Sequence, residues 1–331
     1  MKKLNIGFTY DAKADYKLQP GDPPDKFAEF DSEETLSEIE NALLKSGGHN
    51  VIRIGHARSL LSRLMKGERW DIVFNIAEGL KGRNRESQVP VILEMFDVPY
   101  TGSDGLTMAA TLDKAVAKII VAAAGVRTPK FVRVEKEEDL RNFNLRFPVI
   151  VKPSQEGTSK GLSANSRVSD EKSMRELAMN LLERYRQPIL IEEFISGKEF
   201  TVAVVGNERP EALEPVQVSI NGKLHLGDDF YFHARVEDPS IKYLCPAEVS
   251  DGLKSKLRAL AAAAYSALEV RDFGRIDIRT DENDEPYFLE CNPLPNLGKI
   301  DVFPLIAEAM GITYEEIILR ILDYARRRYG I

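Results

Sequence analysis

The chain has 331 residues, of which 43% are hydrophobic and 29% charged, a composition that suits two or three α/β domains and excludes a disordered or collagen-like protein. A formal net charge of −7 argues against a general nucleic-acid binder, and two cysteines, Cys245 and Cys291, are too few for a secreted disulfide scaffold. The apolar run at 4–10 stops at Asp11, short of a signal-peptide core, and 119–126 is far below membrane-spanning length, so a soluble cytoplasmic protein with no membrane partner is expected.

The first hundred residues alternate short apolar runs (4–10, 51–54, 71–76) with helical patterns, the order of a parallel sheet with crossover helices. Asp31 and Glu34 are spaced as a capping box for the first helix, with Leu36, Ile39 and Leu43 on one stripe and Gly47-Gly48 to end it. The polar stretch 12–29, with Pro20, Pro23 and Pro24, is longer than a usual βα loop, and loops of that length tend to be functional or mobile. Further on, the pattern predicts one long helix over 105–124, strands over 129–134 and 147–152, and helices over 135–143 and 170–185. Breaks near 98 and 189 divide the chain into an N-terminal α/β domain (1–98), a central domain (99–189) and a C-terminal domain (190–331). The last of these carries several strands, an Ala-rich helix at about 251–268 and a terminal helix opened by the Thr313/Glu316 capping box.

Two alternating runs, 273–279 and 287–292, flank turn chemistry at 281–284 and read as a β-hairpin. With the register centred between Asn283 and Asp284, Asp277 faces Glu290 and Arg275 faces Asn292, all on one face, while Ile276, Ile278, Leu289 and Cys291 form a core face. Opposed carboxylates repel unless a cation lies between them, and a hard divalent metal such as Mg²⁺ takes carboxylate and amide oxygens. Arg275 beside them suits a developing negative oxygen. A hairpin with one solvated face is the plainer alternative.

In 147–161 an apolar strand ends in Lys152 and runs into a small, hydroxyl-rich loop bounded by Gly157 and Gly161. Such a loop can offer backbone N–H groups to phosphate oxygens, with the lysine as a point charge; a plain surface turn is the other reading. The loop also spells Gly-x-Ser-x-Gly, as in a serine hydrolase with Ser159 as nucleophile and Asp229 and His233 following. The next segment lacks the helical stripe that a nucleophile elbow requires. In 189–204, Phe200, Val202 and Val204 form one strand face, with Glu199 and Thr201 on the other. A carboxylate at such a rim suits a ribose diol, and the exposed backbone of the preceding linker an adenine edge; taken alone, the segment reads more plainly as solvated acids. His49, His56, His225 and His233 have no metal-ligand spacing.

Taken in order, Pro99-Tyr-Thr-Gly-Ser103, Leu112-Asp-Lys114 with Lys118, 147–161, 191–202, Cys245-Pro-Ala247, 273–277 and 289–295 resemble the ATP-grasp superfamily, and within it the D-alanine-D-alanine ligase family. The similarity runs from about residue 71 to the C-terminus. It implies a three-domain ATP-grasp fold holding ATP between the central and C-terminal domains, with two Mg²⁺ ions for which Mn²⁺ can substitute. The implied chemistry has two steps: a carboxylate takes the γ-phosphoryl group to give an acyl phosphate, and an amine then displaces phosphate. Carried over by position, Lys114 and Lys152 hold phosphates; Glu192, Glu193 and Ile195 belong to the adenine linker; and Glu199 takes the ribose. Asp277, Glu290 and Asn292 hold metal, Arg275 the tetrahedral oxyanion, and Arg235 falls where the family has a phosphate-binding lysine. The resemblance also implies amino-acid substrates, a homodimer and a place for D-alanine-D-alanine ligase chemistry in peptidoglycan synthesis.

The departures fall on the amino-acid side. The family's glutamate for the first substrate's amine is missing after Thr9, with Glu29 or Asp31 near its place. Its serine and tyrosine partners read Thr158 and Val236, and Glu78 stands where histidine is usual. Asp301 replaces the serine that receives the second substrate's carboxylate, an unfavourable facing of like charges. A ligase with an intact nucleotide half and a rebuilt substrate half is expected. An authentic D-alanine-D-alanine ligase is the alternative within the class, and a non-catalytic ATP-binding protein one outside it.

Overall fold

Three sheets organise the computed structural model, which describes residues 3–46, 48–232 and 238–331. In the first, β1 (Asn5–Thr9) lies between β2 (Asn50–Arg53) and β3 (Ile72–Asn75), all parallel as the alternating pattern predicts. The crossovers are α1 (Glu33–Asn41) and α2 (Ala57–Met65). The cap of α1 differs from the expected pair by one residue: the Ser32 hydroxyl accepts from the Thr35 N–H at 3.2 Å, and Asp31 is left outside the helix.

After α3 (Gln88–Met95), the single helix expected over 105–124 is two, α4 (Gly105–Leu112) and α5 (Lys114–Ala123). Asp113 leaves helical geometry to cap α5, and its carboxylate also accepts from Ser154 Oγ and Gln155 Nε2, both at 2.9 Å. That break puts Lys114 on the first turn of α5, beside the loop that follows β5. The helix expected over 135–143 is only a 3-10 turn at Glu137–Leu140, because the Asp139 carboxylate takes the Glu135 and Lys136 N–H groups in a local turn.

The second sheet is antiparallel, in the order β4 (Phe131–Val134), β7 (Ile189–Glu193), β5 (Val149–Pro153), β6 (Arg167–Val168), with α6 (Glu171–Tyr185) packed on it. The position near 189 proposed as a break is the start of β7, so this sheet continues to Glu193.

The third sheet runs β11 (Ile241–Leu244), β10 (Val216–Ile220), β8 (Glu199–Val205), β12 (Phe273–Thr280), β13 (Pro286–Asn292), with short β9 (Glu211–Ala212) on β8. Helix α7 (Asp251–Ala267) covers one face, burying Val202, Val204, Ile276, Ile278, Phe288 and Cys291. The expected register holds at Asp277↔Glu290 and Arg275↔Asn292, but a bulge after Asp277 pairs Ile278 with Phe288. Leu289, expected in the core, therefore lines the cleft, and Phe288 is fully buried in its place. The turn closes with Asp281 and Glu285 hydrogen-bonded across it, an odd-length connection that shifts the pairing by one residue, and the bulge restores it.

α8 (Phe303–Ala309) and α9 (Tyr314–Tyr329) complete the chain, α9 opening with the expected Thr313/Glu316 box. Their apolar residues join Ile6, Phe8, Leu36 and Phe74 from the N-terminal region and Ala203, Val205 and Phe273 from the third sheet in one core. The second sheet and α6 bury a separate core around Val149, Met174 and Ile191.

Candidate active site

A cleft of about 640 Å³ opens between the second and third sheets, and residues from the N-terminal unit, among them Glu29, Asp31 and Glu78, close one end of it. Of the residues singled out from sequence, Thr158, Lys114, Lys152, Glu192, Glu193, Ile195, Glu199, Arg275, Asp277, Glu290, Asn292, Glu78 and Asp301 all line this one cavity. Arg235, Val236 and His233 lie outside the described residues.

Strand alternation on the β12–β13 hairpin brings Asp277 and Glu290 side by side on the cleft face. Asp277 accepts from Thr201 Oγ1 (2.7 Å), Asn292 Nδ2 (2.9 Å) and Arg275 Nε (3.1 Å), while Glu290 pairs with Lys114 Nζ at 3.0 Å. Burial raises the proton affinity of Asp277, with Glu290 adding to it and Arg275 opposing. Burial also works on Glu290, but Lys114 and Lys152 outweigh it and hold that carboxyl near a pKa of about 2. The Arg275 guanidinium bridges Asp277 and Asp301, the latter at 3.4 Å, and these acids keep it firmly charged against its burial.

The second Glu290 oxygen and the Asn292 amide oxygen have no protein partner among the described residues. Two carboxylates and an amide make an all-oxygen donor set suited to a hard cation. Among the described residues no three His, Cys, Asp or Glu side chains converge on one point, so an ion here needs the amide and external oxygens, as from phosphate, to complete its shell.

Lys152, near the end of β5, meets Glu192 on β7 at 2.6 Å, and Lys118, one helical turn beyond Lys114, reaches the same carboxylate at 2.8 Å. Lys118 and Glu192 are almost fully buried, and burial lowers the Lys118 pKa to about 8 despite Glu192. The Glu192 carboxylate is thus the anchor of two lysines, a role that its place in the linker did not reveal. Sequence offered one signal, the spacing of Lys114 and Lys118 on one helix face.

At the far end, Glu193 is held by Arg146 at 3.3 Å and Ile195 follows on the cleft wall. Glu199 pairs with Arg279 at 3.3 Å and is pushed towards protonation by burial. Arg279 stacks over Phe194 at 4.7 Å and donates to the Asp229 carbonyl at 3.1 Å. This pocket has an apolar floor and a polar rim.

The loop after Lys152 carries two consecutive non-glycine residues with left-handed backbone, Thr158 (φ 48°) and Ser159 (φ 52°), a strained geometry of the kind found at ligand-gripping turns. Ser159 lies within a turn that does not pass directly into an α-helix, so the elbow of a serine hydrolase is absent. Glu29 from the long N-terminal loop docks here: its carboxylate accepts from the Gly157 N–H (2.6 Å), Lys160 (2.7 Å) and Arg85 (2.9 Å). Burial opposes the Glu29 charge, and Arg85 and Lys160 overcome it. Gly157 leaves no room for a side chain, since a Cβ would lie 2.6 Å from Glu29 Oε1. Arg85 and this clasp were not foreseen; the length of the 12–29 loop was the one hint.

Comparison with known proteins accords with this geometry. The family model for the D-ala D-ala ligase C-terminus matches residues 120–323. An uncharacterized protein of Sinorhizobium fredii is 34% identical over 298 residues, covering 87% of this chain and 86% of its own length. A D-alanine-D-alanine ligase of Hydrogenovibrio crunogenus is 31% identical over 291 residues, 87% of each chain. Among solved structures, the VanG D-Ala:D-Ser ligase from Enterococcus faecalis superposes with a TM-score of 0.75 at 18% identity, covering 98% of this chain and all of the other. The Bacillus anthracis D-alanine-D-alanine ligase complexed with ATP gives 0.73 at 21% identity, over 99% and 98%. At such identities the two structures speak for the fold, while the family model and the curated relatives reach further. This chain belongs to the D-alanine-D-alanine ligase family, ATP-dependent ligases built on the ATP-grasp fold.

Proposed function

We propose that the chain joins a carboxylate to an amine by way of an acyl phosphate, with amino acids as substrates and a substrate pocket unlike that of an enzyme making D-alanyl-D-alanine. The observation that carries this reading is the pairing of Asp277 with Glu290 on the cleft face, ringed by Lys114, Lys152 and Arg275. Facing acids within a cationic ring suit a metal-bound triphosphate and little else that a solvated hairpin would need.

In this reading, Lys114 and Lys152 bind the phosphates, Glu193 and Ile195 flank the base, and Glu199 receives the ribose. Asp277, Glu290 and Asn292 would hold two Mg²⁺ ions, which supply charge neutralisation on the transferring phosphoryl group. Arg275, steadied by Asp277 and Asp301, presents a fixed fork to the oxyanion that forms when the amine attacks. Thr158 and the loop N–H groups close over the phosphates, and Arg235, carried over by position in the sequence, would add charge.

The substrate half supports the specificity part. Asp301 is partnered by Arg275 and adds negative charge where a substrate carboxylate would otherwise dock, and the Glu29 carboxylate is already taken by three donors. The D-Ala:D-Ser ligase named among the structural neighbours has the same fold with a non-alanine acceptor. We further take the protein as a cytoplasmic homodimer, which light scattering on the purified chain checks. No helix among the described residues is long and apolar enough to cross a membrane.

The test is a phosphate-release screen with Mg-ATP and single or paired D- and L-amino acids. Release stimulated by amino acids other than D-alanine is expected. Equal or stronger stimulation by D-alanine alone would return the protein to cell-wall dipeptide synthesis.

A further inference from the structure

Three carboxylates on the walls of the cleft are without a hydrogen-bond or ion-pair partner among the described residues. Asp31, Glu78 and Glu86 all line it, and among the described residues none of these side chains enters a hydrogen bond or an ion pair. Asp31 and Glu86 are only 8% and 6% exposed. The contrast with neighbouring Glu29 is sharp, because that carboxylate has three donors. The nearby cations are already engaged: Arg85 and Lys160 bind Glu29, Lys160 also binds Glu156, and Lys114 binds Glu290. Lys13, at the mouth, is exposed.

Buried carboxylates without donors are costly, and the protein responds in their proton affinities. Burial, reinforced for Asp31 by Asp11 and opposed for Glu86 by Arg85, lifts both to about 7, and burial with Glu86 and Glu29 beside it lifts Glu78 well above the usual range. Among the described residues no three acidic, His or Cys side chains converge on one point, so these acids do not by themselves form a metal cage. A single α-ammonium brings three N–H groups and one charge, too few for six carboxylate oxygens. The wall therefore asks for a ligand with more than one cationic group.

Resting on the ligase reading, we propose that one substrate is a basic amino acid of the lysine or ornithine class, whose second ammonium is received by Glu78 and Glu86 with Asp31 beside them. The ligand supplies the donors that the fold withholds, and an alanine methyl in the same place would leave the acids unpaired. Discrimination by unsatisfied polar groups is stronger than discrimination by fit alone.

The experiment compares L- and D-lysine and L- and D-ornithine with alanine, serine and glutamate, singly and in pairs, in Mg-ATP-dependent phosphate release. A basic amino acid should exceed every neutral one at least about ten-fold in kcat/KM. In separate variants, Glu78→Gln and Glu86→Gln should raise KM for that amino acid about ten-fold while leaving KM for ATP within about two-fold. Neutral amino acids working as well, or an unchanged KM in both variants, overturns the proposal. Should nothing on the panel release phosphate, the ligase reading fails, and titration of the wild-type protein in Mg-ADP still reads the acidic wall. There, lysine or ornithine must bind more tightly than norleucine, which lacks the second amine; equal affinity overturns the proposal. The titration also serves if either variant does not fold.

Discussion

The two ends of the cleft treat charge in opposite ways. On the cleft side of the β12–β13 hairpin the acids are matched with cations: Glu290 has Lys114, Asp277 has Arg275, Glu192 has Lys118 and Lys152, and Glu199 has Arg279. At the other end Asp31, Glu78 and Glu86 enter no ion pair among the described residues. A pocket that balances its own charges is prepared for a ligand arriving with its own counterions, such as a metal-bound triphosphate. An unbalanced one is prepared for a ligand that brings the missing sign.

The contrast breaks most visibly at Glu290. Replacing Glu290 by Gln should cut phosphate release by about 10³-fold or more at saturating substrate, with an unchanged far-UV circular dichroism spectrum. An active variant would remove the metal assignment and, with it, the balanced end. A smaller effect is expected at the clasp that separates the two ends. Arg85→Met leaves the buried Glu29 carboxylate with one fewer cation, and thermal or urea unfolding should register a loss of about 3 kcal/mol. A loss below about 0.5 kcal/mol would show the pair to be no more than a surface contact.

Acid–base behaviour sharpens the comparison further. Asp31 and Glu86 have folded-state values of about 7, above those of an unfolded chain, so the folded state binds their protons more tightly. Their contribution to stability is present below about pH 4 and lost as pH rises through 7. Glu290, held near 2, behaves in reverse: its contribution is present above about pH 4.3 and lost as pH falls towards 2. Urea denaturation at pH 4.5, 6 and 7.5 should therefore find stability declining with pH across this range, and a saturating basic amino acid with Mg-ADP should flatten the decline. A rising curve without ligand would mean that the acids have partners in solution.

Much of the balanced end was legible in the sequence because strand alternation has a period of two: the opposition of Asp277 to Glu290 followed from counting across one turn. The same counting failed at the very next residue, where the bulge moved Leu289 to the cleft, because an odd turn length leaves no trace in hydrophobic pattern. Asp113 broke a helix that periodicity had drawn as continuous, since its cap and its bonds to Ser154 and Gln155 depend on a loop distant in sequence. The unbalanced end was the least legible. Glu78 and Asp31 were noticed singly, but Glu86 lies in an irregular stretch with no period to read, and whether a carboxylate has a donor is a tertiary fact. Ser32, not Asp31, capping α1 was the small local choice that freed one of the three acids.

The division of apolar cores has a mechanical meaning. The first and third sheets are welded by shared side chains from α1, α8 and α9, whereas the second sheet keeps a core of its own. It meets the rest across the cleft largely through polar contacts such as Glu29 with Gly157 and Asp25 with Gly161. Hydrogen bonds of this kind can be exchanged for water at little net cost, and an oily interface cannot. The piece built from β4 to β7 is thus held to the frame of the other two sheets across the cleft by contacts that water can replace, not by a shared apolar core.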